Sequence, residues 1–119
     1  MSDPRVSNLV ARLIEETVRG RVVWHVNDVP RSITSGSDNI FTLFVETIFR
    51  DIRFAMYEMR FRKYTDEDEY YWCETVFLSV LDDDDRVLWP IQESAEINEL
   101  FADVRRKVAG IDQLLNYFR

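Results

Sequence analysis

One histidine, His25, and one cysteine, Cys73, are all that the chain holds of the side chains that most often act as general base, nucleophile or soft metal ligand near neutral pH. A structural zinc centre takes four such ligands, so this pair cannot build one within a single chain. A His25–Cys73 nucleophile pair is formally open. Cys73, however, stands between Trp72 and Glu74 in a strand-like run, where a neighbouring carboxylate disfavours thiolate and a small buried hydrophobe is the expected role. Carboxylates are plentiful. Asp82, Asp83, Asp84 and Asp85 are consecutive, and in an extended chain their side chains diverge, whereas a calcium loop alternates its oxygen ligands around a glycine. The string from Thr65 to Glu69 fails the same test, and both read as solvated hairpin tips whose charge discourages edge-to-edge aggregation. Glu46, Glu58 and Glu74 each fall in a different predicted strand and could align on one face of a sheet. Converging in an apolar pocket they would form an acid–base constellation on a sugar-like substrate; facing solvent they would be ordinary surface charge, the expectation favoured here. Gly20, Gly36 and Gly110 lie in no phosphate-cradling motif, so neither a nucleotide cofactor nor a metal is expected.

One stretch mixes cations with aromatics: Arg53, Phe54, Tyr57, Arg60, Phe61, Arg62, Lys63 and Tyr64. That composition stacks bases and tracks phosphates. Glu67, Asp68 and Glu69 follow the next turn, and a hairpin is expected to set them opposite Arg60, Arg62 and Lys63 and neutralise them. The wider balance also argues against nucleic acid and anionic lipid. The formal charge is −7; residues 1–64 carry ten basic against eight acidic side chains, while residues 65–119 carry five against fourteen. Counterion release needs a basic surface.

The elements that would position these residues follow from periodicity. At 119 residues, with 46% hydrophobic and 31% charged side chains, the chain fits one globular domain. Asp3-Pro4 suits an N-cap and first helical residue, and Val6, Leu9, Val10, Leu13, Ile14 and Val18 then recur at helical spacing up to Gly20. Residues 22–26 are β-prone, and 27–39, with Pro30, Ser35, Gly36 and Ser37, read as a long surface loop open to an adaptable contact. Four strands are predicted next, at about 40–49, 52–63, 70–81 and 86–91, joined by Arg50-Asp51, by Thr65 to Glu69 and by Asp82 to Asp85. Strict alternation puts Phe41, Leu43, Val45 and Phe49 on one face of the first, and Ile40, Phe44 and Ile48 on the other. Pro90 suits an edge strand. Ser94 caps a final helical stripe from Ile97 to Phe118, expected to break at Gly110, with Asp112 capping a second short helix.

The fold class is therefore α+β: an antiparallel meander of four or five strands packed against an N-terminal helix and a C-terminal helical segment. A helix ending in Arg19-Gly20, Trp24 soon after it, the meander and the closing LFADVRRKVAGIDQLL resemble small uncharacterised bacterial or phage-borne proteins. The resemblance implies this element order and brings no activity with it. No run is apolar enough to span a membrane and the first residues lack a signal-peptide core, so a cytoplasmic protein is expected, consistent with a single unpaired cysteine. With apolar residues on both faces of two strands and aromatics at 13%, a protein partner or a second copy of the chain is the expected ligand. Trp24, Phe44, Tyr57, Tyr71, Trp72 and Trp89 are the candidate interaction surface, with homodimerisation through the sheet as its use. The alternatives are an acidic inhibitor imitating nucleic acid through Asp82 to Asp85, Glu93, Glu96, Glu99 and Asp103, and a small-ligand binder or enzyme with a pocket between sheet and helices.

Overall fold

Asp3 opens the first helix as its cap, accepting a hydrogen bond from Arg5 N at 2.9 Å, with Pro4 at the first helical position. In the computed structural model, which describes residues 3–91 and 94–118, this helix (α1) spans Pro4–Val18. It is followed by β1 (His25–Val26), α2 (Arg31–Thr34), β2 (Ile40–Phe49), β3 (Ile52–Tyr64), β4 (Tyr70–Leu81), β5 (Val87–Ile91), α3 (Ala95–Ala109) and α4 (Ile111–Tyr117). The five strands form one antiparallel sheet in sequence order. Among the described residues no helix is long and apolar enough to cross a membrane.

One face of the sheet is covered by α1 and α3. Val45, Met56 and Leu78 stand in one cross-strand row and pack, with Phe54, Val76 and Ile91, against Val10 and Leu13 of α1 and Ile97, Leu100, Phe101 and Val104 of α3. Ser94 caps α3 by accepting from Ile97 N at 3.4 Å. At Gly110, φ is +67°, the left-handed conformation that glycine adopts without steric cost, and there α3 stops and α4 starts. Asp112 lies within α4 and its side chain is outside the described atoms.

The opposite face carries a second core, and here the structure departs from sequence expectation twice. First, an irregularity between Phe41 and Leu43 inserts Thr42 as an extra residue in β2. The bulge reverses the alternation before it, so Phe41 joins Phe44 on the second face instead of Leu43 and Val45 on the first. Second, the 27–39 surface loop contains a helical turn and lays part of itself over the sheet. Ile33 of α2 and Val29 just before it, four residues apart, pack on the cluster of Phe44, Ala55, Tyr57 and Leu81, which Phe77 also joins. Phe44, Tyr57 and Phe77 form an aromatic row across β2, β3 and β4, with ring centroids 6.0 and 5.4 Å apart. The centre of this face is thus covered within the chain, while Ile48 and Tyr71 towards its ends stay exposed.

Candidate functional site

Two regions present chemistry to solvent. The first is a cleft of about 690 Å³ beside β1, lined among others by Arg21, His25, Asn27, Glu46 and Arg53. Arg53 and Glu46 sit on the second face of the sheet, diagonal to one another across β2 and β3. The Arg53 guanidinium reaches Glu46 Oε2 at 2.6 Å and Asp85 Oδ1 at 2.7 Å, and donates to the Asp82 carbonyl at 2.8 Å. Burial alone would lower the Arg53 pKa, but the Glu46 and Asp85 carboxylates together hold it above the ordinary value. Asn27 Nδ2 donates to the other Glu46 oxygen at 2.6 Å, and Ser32 Oγ donates to the Asp85 carbonyl at 2.5 Å. This network ties the 27–39 cover and the Asp82–Asp85 turn to the sheet. Its charges are spent on one another, so what the cleft offers a ligand is a saturated wall with the exposed imidazole of His25 at its margin.

The three strand carboxylates do not converge. Glu58 and Glu74 lie on the helix-covered face, Glu46 on the other, and each has its own arginine: Arg105 at 3.8 Å, Arg60 at 2.7 Å and Arg53 respectively. His25 and Cys73 are also far apart. The row through His25 crosses Glu46 and Ala55 to Ser79, and Cys73 is six residues further along β4, a separation of about 24 Å at about 3.3 Å per residue and about 4.8 Å per strand. Among the described residues no three His, Cys, Asp or Glu side chains come together as a metal site would require.

Both acidic turns are solvated tips, with residues 65–69, Asp83 and Asp84 exposed, and the second is ordered from within by Asp82. Asp82 Oδ1 accepts from Asp84 N and Arg86 N, both at 2.9 Å, and its other oxygen takes Arg86 Nε at 2.8 Å. The Arg86 backbone N–H, more than any other group, holds the Asp82 carboxyl below the usual range. Arg53 anchors this turn from the second face, while Glu96, Glu99 and Asp103 lie on α3, which packs on the first. Glu93 is outside the described residues.

The second region is the far end of the β3–β4 hairpin. The strands pair from Arg53↔Leu81 to Tyr64↔Tyr70, so the acidic residues 66–69 lie beyond the last pair and not opposite the basic ones. Arg62 instead faces Trp72, its guanidinium 5.9 Å from that ring and 5.5 Å from the Tyr70 ring, while Tyr64 meets Tyr70 at 5.5 Å and Tyr70 meets Trp72 edge-on at 6.1 Å. All three aromatics are about half exposed although they pack on one another. Tyr71 projects from the opposite face, also half exposed. Arg60, Arg62 and Lys63 stand here among Asp38, Asp66, Glu67, Asp68, Glu69 and Glu74, so the local balance is acidic despite the aromatic and basic strand.

Of the six residues singled out from sequence as an interaction surface, three are interior. Trp24 is 6% exposed, its indole N–H donating to the buried Thr17 hydroxyl at 3.0 Å; Phe44 and Tyr57 belong to the second core. Burial raises the Tyr57 phenol above its ordinary pKa. Tyr71, Trp72 and Trp89 are exposed, but Trp89 pairs with Val80, eight residues along β4 from Trp72, and so lies at the other end of the sheet. The sequence reading missed Tyr64, Tyr70 and Arg62 as the companions of Trp72; their signal was the Tyr64/Tyr70 symmetry about the acidic turn.

No family model matches the chain, and neither a curated protein nor a solved structure matches it.

Proposed function

We propose that this protein is a non-catalytic interaction domain that self-associates, with the exposed aromatic end of the β3–β4 hairpin as its contact surface. One observation carries the reading: a half-exposed cluster of Tyr64, Tyr70 and Trp72 under Arg62 projects from the end of the sheet opposite the polar network of β1 and the Asp82–Asp85 turn. Tyr, Trp and Arg are the residue types that dominate interface energetics, and here they are prearranged, so little side-chain entropy is lost on contact. The acidic surroundings favour a protein partner over nucleic acid, and the free Cys73 suits a reducing cytoplasm. Light scattering coupled to gel filtration tests it. A species of twice the 14.2 kDa chain mass at micromolar concentration, returned to the single-chain mass by Trp72→Ser with Tyr70→Ser, is the expected result. A wild-type protein that stays at single-chain mass throughout would remove self-association from the reading.

A further inference from the structure

Besides the part of β2 that the two-residue β1 leaves uncovered, where the Thr42 bulge breaks the regular edge, the sheet has three exposed edges, and two are blunted. β1 is two residues long, and β5 carries Pro90 and an irregularity where Leu88 is skipped in its pairing with β4. The third is the outer edge of β4. β5 pairs only with Leu78 to Leu81, so among the described residues 70–77 have no neighbouring strand on the side away from β3, and they include no proline, glycine or lysine and no bulge. The direction of their backbone groups can be read from both ends. Thr65 N donates to the Glu69 carbonyl at 3.0 Å, so Glu69 faces β3, and Asp82 N donates to the Arg86 carbonyl at 3.0 Å, so Asp82 faces β5. By alternation, the N–H and C=O of Tyr70, Trp72, Glu74 and Val76 all point out of the sheet.

Resting on the self-association reading above, we infer that two copies of the chain pair antiparallel along these β4 edges, about a two-fold axis at Cys73. A two-fold axis normal to a sheet sets residues of the same face opposite each other, so the axis must pass through a residue. Glu74 at the axis would oppose its own copy with like charge. Trp72 at the axis would engage only Tyr70, Trp72 and Glu74. Cys73 at the axis engages all four outward residues: Trp72 faces Glu74 of the second copy and Tyr70 faces Val76, which is 6% exposed and packs under α3 in its own chain, each a pair that exchanges two backbone hydrogen bonds. Glu74, already held by Arg60 in its own chain, then lies in a row with Trp72 and Arg62 of the other, so cation, carboxylate, ring and cation run across the seam with no like charges opposed. Cys73 meets Cys73 as a non-hydrogen-bonded pair, about 4.5 Å between Cα atoms, within the range a disulfide spans.

That geometry supplies the test. With diamide as oxidant, two Cys73 thiols lose two protons and two electrons, the S–S bond forms and the diazene is reduced to the hydrazine. The linked dimer is expected to form about 100-fold faster in the native protein than in the urea-unfolded chain at the same micromolar concentration, because the paired thiols have an effective concentration in the millimolar range. Glu74→Pro removes an outward N–H and the exposed ion pair with Arg60 while leaving the backbone hydrogen bonds of the β3–β4 ladder in place; it should keep the wild-type circular dichroism, run at single-chain mass and lose the rapid cross-link. A wild-type dimer that does not link rapidly through Cys73, or that survives Glu74→Pro, overturns this register and leaves the self-association reading standing. A wild-type protein at single-chain mass with no rapid cross-link overturns both.

Discussion

Trp24 distinguishes an interior aromatic from a surface one, and a double-mutant cycle with Thr17 puts numbers on the difference. Thr17 is fully buried and accepts the Trp24 indole N–H at 3.0 Å. Thr17→Val is close to isosteric and nearly neutral in helix propensity, so its cost is that of a buried donor left without an acceptor, about 1–3 kcal/mol. Trp24→Phe removes the donor and part of the ring volume from the main core, costing about 2–3 kcal/mol. An unfolding entropy of about 2.1 cal/mol/K per residue gives this chain about 250 cal/mol/K, so each kcal/mol lowers the midpoint by about 4 °C. Thr17→Val should therefore melt about 4–12 °C below wild type and Trp24→Phe about 8–12 °C below. With both partners gone the hydrogen bond is lost only once, and the double variant should fall short of the summed losses by about 1 kcal/mol. Thermal unfolding followed by circular dichroism at one fixed protein concentration measures this, since association makes the midpoint concentration-dependent. A Trp24→Phe midpoint within about 1 °C of wild type, or two strictly additive losses, would refute the placement of Trp24 in the core against Thr17.

Three further outcomes are expected. The Arg50-Asp51 turn has φ of +52° and +66°, so Arg50→Asn with Asp51→Gly should raise the midpoint by about 4 °C, about 1 kcal/mol; an unchanged or lower midpoint would count against the turn geometry. Because the folded Asp82 carboxyl titrates below its unfolded value of about 3.9, its contribution is complete above that pH and fades as pH falls through the lower folded value. Asp82→Asn should thus be less stable than wild type at pH 7, with the gap narrowing as pH falls below that unfolded value, whereas a gap that stays constant in acid would mean that charge is not what the turn uses. Ile33→Ser should cost about 1–2 kcal/mol and raise binding of an apolar dye with the far-ultraviolet spectrum unchanged, whereas no change in either would show that the 27–39 segment leaves the second face uncovered.

Strand limits were legible because β-branched and aromatic runs are separated by short charged turns, and the glycine break at residue 110 because only glycine takes that conformation readily. The bulge at Thr42 was not legible. Alternation assumes one residue per position, and nothing in Ile40 to Val45 marks the extra one. The 27–39 cover was hidden because its apolar content is two residues, Val29 and Ile33, in a Pro, Ser and Gly-rich stretch; their helical spacing and the need to cover Phe44 were the available signal. Aromatic type alone could not separate Trp24, Phe44 and Tyr57 from Tyr71 and Trp72, because cores and interfaces favour the same side chains. The open edge, by contrast, was written in strand lengths: twelve residues in β4 cannot be matched by five in β5.

Sedimentation velocity on the reduced wild-type protein, from about 1 to 100 μM, bears most directly on self-association through the hairpin, since Kd values of standard-size interfaces fall within or below that range. The expected result is a single boundary that shifts with concentration toward twice the 14.2 kDa chain mass, and one that remains at the single-chain mass when Glu74 is replaced by proline. A wild-type boundary fixed at the single-chain mass across the whole range would contradict it.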